Sequence, residues 1–432
     1  MTVPYHELDP ASYDASMALI PLDEAQEYVL TSCQRLPAVR LPLWESLDHV
    51  LAQAVTAPEP VPLFSSTAMD GFAVRSSDTQ NAPVELVVID TASAGHPSTA
   101  ELEPGTAIRI MTGAPIPKGA DAIVKVEDTT LPPDDPSGKR VVVAHPVKPG
   151  AHVRPRGESL LQGDEVFPAG TLIRPAHLGM LASLGMDEVE VYKLPKVAVL
   201  SSGDELVEIR DTLGPGQIRD SNRYLLSSSV HQCGLEALDL GIVRDDKDLI
   251  AQAVSLGVDK ADAVVMSGGV SMGDFDYVKV VLDELSAGNM RWMQVAIQPA
   301  KPLAFGLIKN KPVFGLPGNP VSSLVSFELF ARPALLKMAG RTHIHRLHLQ
   351  TIADEEIVVH SDGKLHLLRA VIHQASDTQL HLRLAGNQGS HLLKPLARAN
   401  ALALVPSGAN ISPGERVEAM ILDPEEVGVT ND

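Results

Sequence analysis

The sequence predicts a multidomain α/β protein. A central, doubly wound, mostly parallel α/β domain is preceded by an N-terminal helical domain carrying an inserted β domain, and followed by a C-terminal β barrel. Three observations carry this expectation. Between residues 195 and 340 short apolar strands alternate with amphipathic helices, as in a parallel sheet covered on both faces. Between 61 and 154, and again after 341, apolar runs are separated by turn residues and read as β structure. At 432 residues the chain is too long for one core, and roughly 150 residues per domain gives about three.

Composition narrows the function. Lys and Arg number 35 against 54 Asp and Glu, a net charge of −19, which argues against general binding to nucleic acid or a membrane surface. An anionic ligand therefore needs a local cluster of positive groups. The two cysteines, Cys33 and Cys233, supply neither a disulfide framework nor a cysteine zinc site and suit a reducing cytoplasm. Residues 1–20, set apart as an N-terminal extension, carry Glu7, Asp9 and Asp14 without a basic n-region, against a conventional secretory signal. No apolar run approaches transmembrane length.

The helical domain is expected at 21–60 together with 155–194. "PLDEAQEYVLTSC" and "LWESLDHVLAQAV" both space apolar residues at helical intervals before the proline-rich "APEPVPLF". "TLIRPAHLGMLASLGM", 171–186, is a further helix, with Pro175 in its first turn and Gly185 at its stop. The inserted domain, 61–154, holds the strands "VELVVID", "TAIRIM", "DAIVKVE" and "RVVVAHPV". In 195–340 strands are expected at "KVAVL", "LEALDLGIV", "DAVVMS", "MQVAI", "LAFGLI" and "PVFGL", with helices near 220–233, 246–257, 275–286 and 320–338. The remaining segment, 341–432, alternates apolar and polar residues in "HRLHLQTI", "KLHLLRAVI", "QLHLRLA" and "ALALVP", as a small antiparallel domain or barrel does.

In a doubly wound sheet, ligands collect beyond the carboxyl ends of the strands. The polar strings there are "SSGDEL", "RDD", "SGGVSMGDFD", "QPAKP" and "LPGNP". Gly268 and Gly269 end an apolar strand where a phosphate could approach the backbone, although the same letters describe an ordinary βα turn. Asp274 and Asp276 follow, either to cap a helix or to hold a hard cation. Glu205 could bond a ligand or cap the next segment, while Asp245 with Asp276 supplies the separated carboxylates that suit Mg²⁺. Pro317, Gly318 and Pro320 make a rigid entry to a helix N-terminus, which attracts anions, although the same residues describe a plain turn with a proline cap. "DSN", 220–222, reads as a helix cap. Asp70 with Gly71 reads locally as a turn, and Thr112 with Gly113 ends a strand where the hydroxyl either binds an anion or closes a turn. His343 and His345 would share one strand face, but without a third ligand they are not read as a metal site.

Taken in order, "STAMDGFAV", "RIMTGAPIPKGADAIV", "VRPRGESL", "SSGDEL", "GQIRDSN", "SGGVSMGDFDYVK" and "GLPGNPVSS" resemble the MoeA family of molybdopterin molybdenumtransferases, related to the E domain of gephyrin. The similarity covers about residues 21–422. It implies that the central α/β domain binds molybdopterin, and that the substrates are adenylylated molybdopterin and molybdate, with AMP released and Mg²⁺ assisting. By matching motif positions it nominates Asp70, Thr112, Glu205 and Asp276 for catalysis. For binding it nominates Ser267, Gly268, Gly269, Asp245, Lys301, Pro317, Gly318, Asn319, Pro320, Arg369 and Ser390, with Asp245 and Asp276 toward the metal. It further implies a homodimer with a cross-subunit active site, and as partners a molybdopterin adenylyltransferase and molybdoenzymes or their chaperones.

The chain departs from the family pattern at three positions. Gln294 and Gln298 stand where relatives commonly carry lysine, leaving Lys301, and Ser159 follows Glu158 where an acid is usual. Two rival readings follow: a paralogue that binds or delivers the pterin without efficient metal insertion, and a molybdopterin adenylyltransferase. The flanking domains argue against the second.

Overall fold

The structure, a computed structural model, describes residues 19–269 and 277–428. The chain forms two compact units. One comprises Pro42–Leu47 and Gln53–Val189; the other takes the chain up to Leu41, Asp48–Ala52 and everything from Glu190. Among the described residues no helix is long and apolar enough to cross a membrane.

The Gln53–Val189 unit is built on a six-stranded sheet in the order Ala122–Lys125, Gly71–Val74, Thr106–Ile110, Val84–Ala92, Arg140–Val143, Thr129–Thr130. Side chains alternate between its faces. Phe72, Val74, Val124 and Val141 fill one apolar cluster, while Ala73, Ile108, Ile110 and Ile123 fill another. The predicted helix near 171–186 is Pro175–Ser183, entered at Pro175 and ended by Gly185 at φ 73°.

The expected helix at "LWESLDHVLAQAV" does not form. Leu43–Glu45 makes a single 3-10 turn, after which Asp48 takes φ 63°. Val50 and Leu51 are buried, and the segment bonds along an extended partner: Ala52 N–H donates to Glu190 O, and Tyr192 N–H to Val50 O. The helical spacing was real, but β pairing satisfied the same apolar residues.

The larger unit contains the α/β domain. Its sheet runs Glu236–Val243, Lys196–Ser202, Ala263–Ser267, Lys311–Leu316, Pro302–Ile308, Arg291–Gln294. The first four strands are mutually parallel and the last two are antiparallel, so the sheet is mixed, with a parallel half that carries the site. It is covered on both faces. Val197 and Val199 pack with Leu226 and Val230 of helix Asn222–Gln232, and with Val321 and Phe327 of the 320–338 helix. Ala198 and Leu200 point the other way, against Ile250 and Val254 of Lys247–Lys260 and Val278 and Leu282 of Tyr277–Leu285. Fully burying each such large apolar side chain contributes about 1.5–3 kcal/mol relative to exposure. Helix Leu22–Ser32 joins the first face through Ala25 and Val29, with Tyr28 edge-on to Phe305 at 5.9 Å.

Two further elements differ from the sequence reading. "MQVAI" is not one strand: Arg291–Gln294 edges the central sheet, whereas Ile297–Gln298 pairs with Leu365–His366 of the C-terminal domain. The chain bends between them because Val295 N–H donates back to Lys301 O and Ile20 takes up the backbone groups of Gln294 and Ala296. The 320–338 helix is continuous but contains a π segment, Phe327–Ala331, just before Pro333. Pro333 has no N–H to give the carbonyl four residues back, a common cause of such a bulge.

The C-terminal domain closes on itself. Leu365–Gln374 pairs with Leu380–Leu384, which pairs with His348–Ala353, then Arg416–Ile421, then Ala401–Val405, which returns to Leu365–Gln374. Leu368, Ala370 and Ile372 face the barrel interior, while Leu367, Leu402 and Met420 join the α/β core. His343 and His345 precede the strand that begins at His348; instead of sharing a strand face they line a groove of about 670 Å³ with Leu22 and Met420.

Candidate active site at the carboxyl ends of the parallel strands

Strand Lys196–Ser202 has Glu236–Val243 on one side and Ala263–Ser267 on the other, so the chain reverses direction across the sheet there. Such a switch point leaves a crevice at the strand ends. The turns that crown it converge. Gly203 N–H donates to Val243 O at 3.1 Å, and Gly268 N–H to Leu316 O at 3.1 Å.

Gly268 (φ 99°) and Gly269 (φ 66°) lie in the left-handed region, and neither could carry a side chain: a Cβ would lie 2.3 Å from Ser202 O at the first and 2.1 Å from Val278 Cγ2 at the second. A Cβ on Gly318 would come 3.9 Å from Gly268 Cα, so the two glycine turns face one another. Ser267 is buried and its hydroxyl donates to Pro317 O at 3.3 Å. Pro320 opens the following helix as its first residue.

Beside these turns lies an acidic group. Glu205 folds its carboxylate back over Gly203, where a Cβ would meet Oε2 at 2.6 Å. Asp245 N–H donates to Asp204 Oδ1 at 3.3 Å. Burial raises the Asp245 carboxyl above its ordinary range, and the negative charges of Asp204 and Glu205 push it the same way. Asp246, next in sequence, caps helix Lys247–Lys260 by accepting from Asp248 and Leu249 N–H. Asp274 and Asp276 lie outside the described residues, and so does the start expected for the 275–286 helix.

The barrel reaches this site through Ser390. Asn319, the residue before Pro320, donates its amide to Ser390 Oγ at 3.1 Å. Adjacent Gly389 and Asn387 give their carbonyls to Arg369 Nη2 at 3.2 and 2.9 Å. Arg369 is wholly buried, and no carboxylate pairs with it among the described residues. Its Nε and Nη1 have no partner there either, and burial lowers its pKa to about 10. A desolvated guanidinium with two nitrogens unused as donors is suited to an oxyanion. Lys301 stands exposed in the turn before Pro302, without a described hydrogen bond from its side chain to the crevice.

Asp70 and Thr112 belong to the other unit and are described by themselves. The Thr112 N–H and hydroxyl both donate to Asp70 Oδ1 at 2.7 Å. Those two bonds, with Arg109 adding to them, hold the Asp70 carboxyl below its ordinary range. The Thr112 hydroxyl therefore serves Asp70; it closes no local turn.

Sequence reasoning missed two contributors. Asp204, inside the same "SSGDEL" string, is the acid that contacts the Asp245 backbone. Asn222, read only as part of a helix start, bonds both glycine turns. Helix Asn222–Gln232 does begin where expected, yet Ser221 makes no capping bond; Asp220 accepts from Arg223 N–H instead.

Comparison with known proteins agrees with this architecture. Residues 20–185 match the MoeA N-terminal region (domain I and II), 198–337 a "Probable molybdopterin binding domain", and 356–422 the MoeA C-terminal region (domain IV). The molybdopterin molybdenumtransferase of Haemophilus influenzae is 36% identical over 405 residues, covering 92% of this chain and 98% of that protein. The chain belongs to the MoeA family of molybdopterin molybdenumtransferases. A namesake from Nostoc is 36% identical over 385 residues, covering 87% of this chain and 86% of its own. The crystal structure of the molybdopterin biosynthesis MoeA protein of Pyrococcus horikoshii superposes with a TM-score of 0.79 at 29% identity, covering 94% of this chain and all of that one.

Within this MoeA chain the departures from pattern occupy distinct settings. Gln294 ends the edge strand of the central sheet and is half-buried; Gln298 is exposed beside His366, its partner in register. Ser159 lies in a turn where its N–H donates to Val61 O at 2.9 Å, within the unit that holds Asp70.

Proposed function

We propose that this chain inserts molybdenum from molybdate into adenylylated molybdopterin, with release of AMP and with Mg²⁺ required. What supports this reading is that two facing glycine turns and a carboxylate group lie at one switch point, and that the loop carrying Ser390, bonded to Asn319, is also bonded to a buried arginine. Gly268, Gly269 and Gly318 leave room for the linked phosphates. Glu205 would orient the pterin or a water. Arg369 and Ser390, with Lys301, would receive the molybdate oxygens as hydrogen-bond donors.

The donor chemistry fits a hard divalent cation. Asp204, Glu205 and Asp245 offer only oxygen, and the Asp245 carboxyl, raised first by burial and further by Asp204 and Glu205, is one that a cation would stabilise in its charged form. Among the described residues no group of three or more His, Cys, Asp or Glu side chains is arranged to hold an ion alone. Mg²⁺ is commonly held by one or two carboxylates together with substrate phosphates. By the family resemblance Asp245 and Asp276 are its protein ligands. When bound, Mg²⁺ would neutralise phosphate charge as AMP departs.

The resemblance also supports a homodimer whose cleft is completed by Asp70 and Thr112 of the partner subunit. The exposed, ionised carboxylate of Asp70, held by two Thr112 bonds, is in keeping with a role outside its own unit. A cytoplasmic setting is supported by two buried, unpaired cysteines. A molybdopterin adenylyltransferase, and molybdoenzymes or their chaperones, are proposed as partners on the family resemblance.

The test is AMP release from adenylylated molybdopterin as molybdate is titrated with Mg²⁺ present. Release that saturates with molybdate is expected. Tight pterin binding without molybdate-dependent turnover would overturn the reading in favour of a delivery protein.

A further inference from the structure

Asn222 is a polar side chain that the reaction as described does not use, and it holds the crevice together. It is only 9% exposed. Its amide nitrogen donates twice, to Ser267 Oγ at 2.7 Å and to Gly318 O at 2.6 Å, joining residues 45 and 96 positions away. The orientation follows from the chemistry. Gly318 O can only accept, so the amide must present nitrogen to it. Ser267 Oγ then receives the second amide proton and gives its own to Pro317 O. One side chain thus fixes both glycine turns to each other and to helix Asn222–Gln232.

The helix start is itself immobilised. Ser201 Oγ donates to Asp220 at 3.1 Å, and Arg223 Nε reaches the same carboxylate at 3.1 Å. Arg223, buried, also pairs with Asp239 and with Glu208 at 2.7 Å. Glu208 follows Glu205 by three residues, so the acidic turn is tied to the same helix end. The Asn222 Oδ1 atom is left buried without a partner among the described residues, as is the hydroxyl of Ser202 beneath Gly268.

We infer that Asn222 is a positioning residue for the phosphate cleft: it sets the separation of the Gly268 and Gly318 turns, and through them the affinity for the adenylylated substrate. The inference rests on the reading of the cleft given above, and predicts a split that general destabilisation does not give. Binding of the nucleotide part weakens, while molybdate, bound through Arg369 and Ser390, keeps its half-saturating concentration.

The experiment uses the full chain with Mg²⁺ and AMP as probe, comparing Asn222→Ala and Asn222→Asp with Ser323→Ala. Ser323 touches the Ser267 hydroxyl at 3.5 Å but makes no recorded bond to Gly318. AMP affinity by calorimetry, and KM for the adenylylated pterin, should worsen by about tenfold in the Asn222 variants and by less than about twofold in Ser323→Ala. Hydrogen exchange should quicken in peptides covering 263–269 and 311–319 and stay unchanged in 401–405. If either Asn222 variant fails to fold, Asn222→Ser, which keeps one donor, should fall between. Unaltered AMP affinity with unaltered exchange would overturn the inference. Should the original protein bind no AMP, the functional reading fails, and exchange in 263–269 and 311–319 alone decides whether Asn222 is the clamp.

Discussion

Asn319 Nδ2 lies 3.1 Å from Ser390 Oγ, and the N–H of Val321 donates to the Ser390 carbonyl at 3.1 Å. One residue of a barrel loop is therefore bonded twice to the turn that floors the cleft. Removing the hydroxyl leaves the backbone bond in place. Ser390→Ala should change Tm by no more than about 2 °C, because an exposed neutral hydrogen bond is worth about 1 kcal/mol. The molybdate concentration for half-maximal AMP release should rise several-fold, with KM for the pterin unchanged.

Arg369 is the most exacting residue of the site. A wholly buried guanidinium with no carboxylate partner among the described residues is destabilising in the empty protein and is relieved by an anion. Arg369→Met should leave the ligand-free protein as stable or more so. It should also abolish the rise in Tm that molybdate gives the original protein, a loss read by a thermal-shift titration.

The raised carboxyl of Asp245 has a definite sign. An acid whose folded pKa exceeds its unfolded value contributes stability below the unfolded value and loses it as pH rises through the folded one. The ligand-free protein therefore carries, at neutral pH, the cost of a desolvated Asp245 carboxylate together with repulsion from Asp204 and Glu205. Asp245→Asn should raise Tm at pH 7 by on the order of 2 °C and give no such gain at pH 3.5, while Mg²⁺-dependent AMP release falls sharply. Melting curves at the two pH values check the first part.

Gln294 and Gln298 are uncharged at two positions where the family resemblance leads to an expectation of lysine. A charge-assisted bond contributes about 1.5–3 kcal/mol against about 1 kcal/mol for a neutral one. Gln294→Lys with Gln298→Lys should therefore lower the half-saturating molybdate concentration without changing pterin affinity. No change on restoration would mean that these glutamines do not limit oxyanion binding.

Between them and Lys301, Ala300 is buried at φ 76°, a conformation that costs a non-glycine residue about 1–2 kcal/mol. Ala300→Gly removes that strain but adds about 0.4–1 kcal/mol of unfolded-state entropy. The net expectation is a small gain in Tm, of about 1–2 °C, read by calorimetry.

What the sequence made legible depended on range. Gly268 and Asp245 could be placed at one sheet edge because each directly follows an apolar strand, and strand ends in a parallel sheet share a side. The same reasoning could not find Asn222, whose partners lie 45 and 96 residues away and leave no trace in local spacing. "LWESLDHVLAQAV" misled because its helical apolar spacing is satisfied by pairing of Val50 and Leu51 with a strand near 190. "MQVAI" misled because two sheets claim its two ends. Arg369 sits in a strand whose alternation says only that it faces away from the barrel interior. That it is also wholly buried is a tertiary fact.

The most direct measurement is a crystal of the protein grown with AMP, Mg²⁺ and molybdate, with molybdenum located by its anomalous scattering. The account predicts the phosphate of AMP against the Gly268 and Gly318 turns and the molybdenum within contact of Arg369 and Ser390. A molybdenum peak elsewhere, with the Arg369 donors still unfilled, would contradict it.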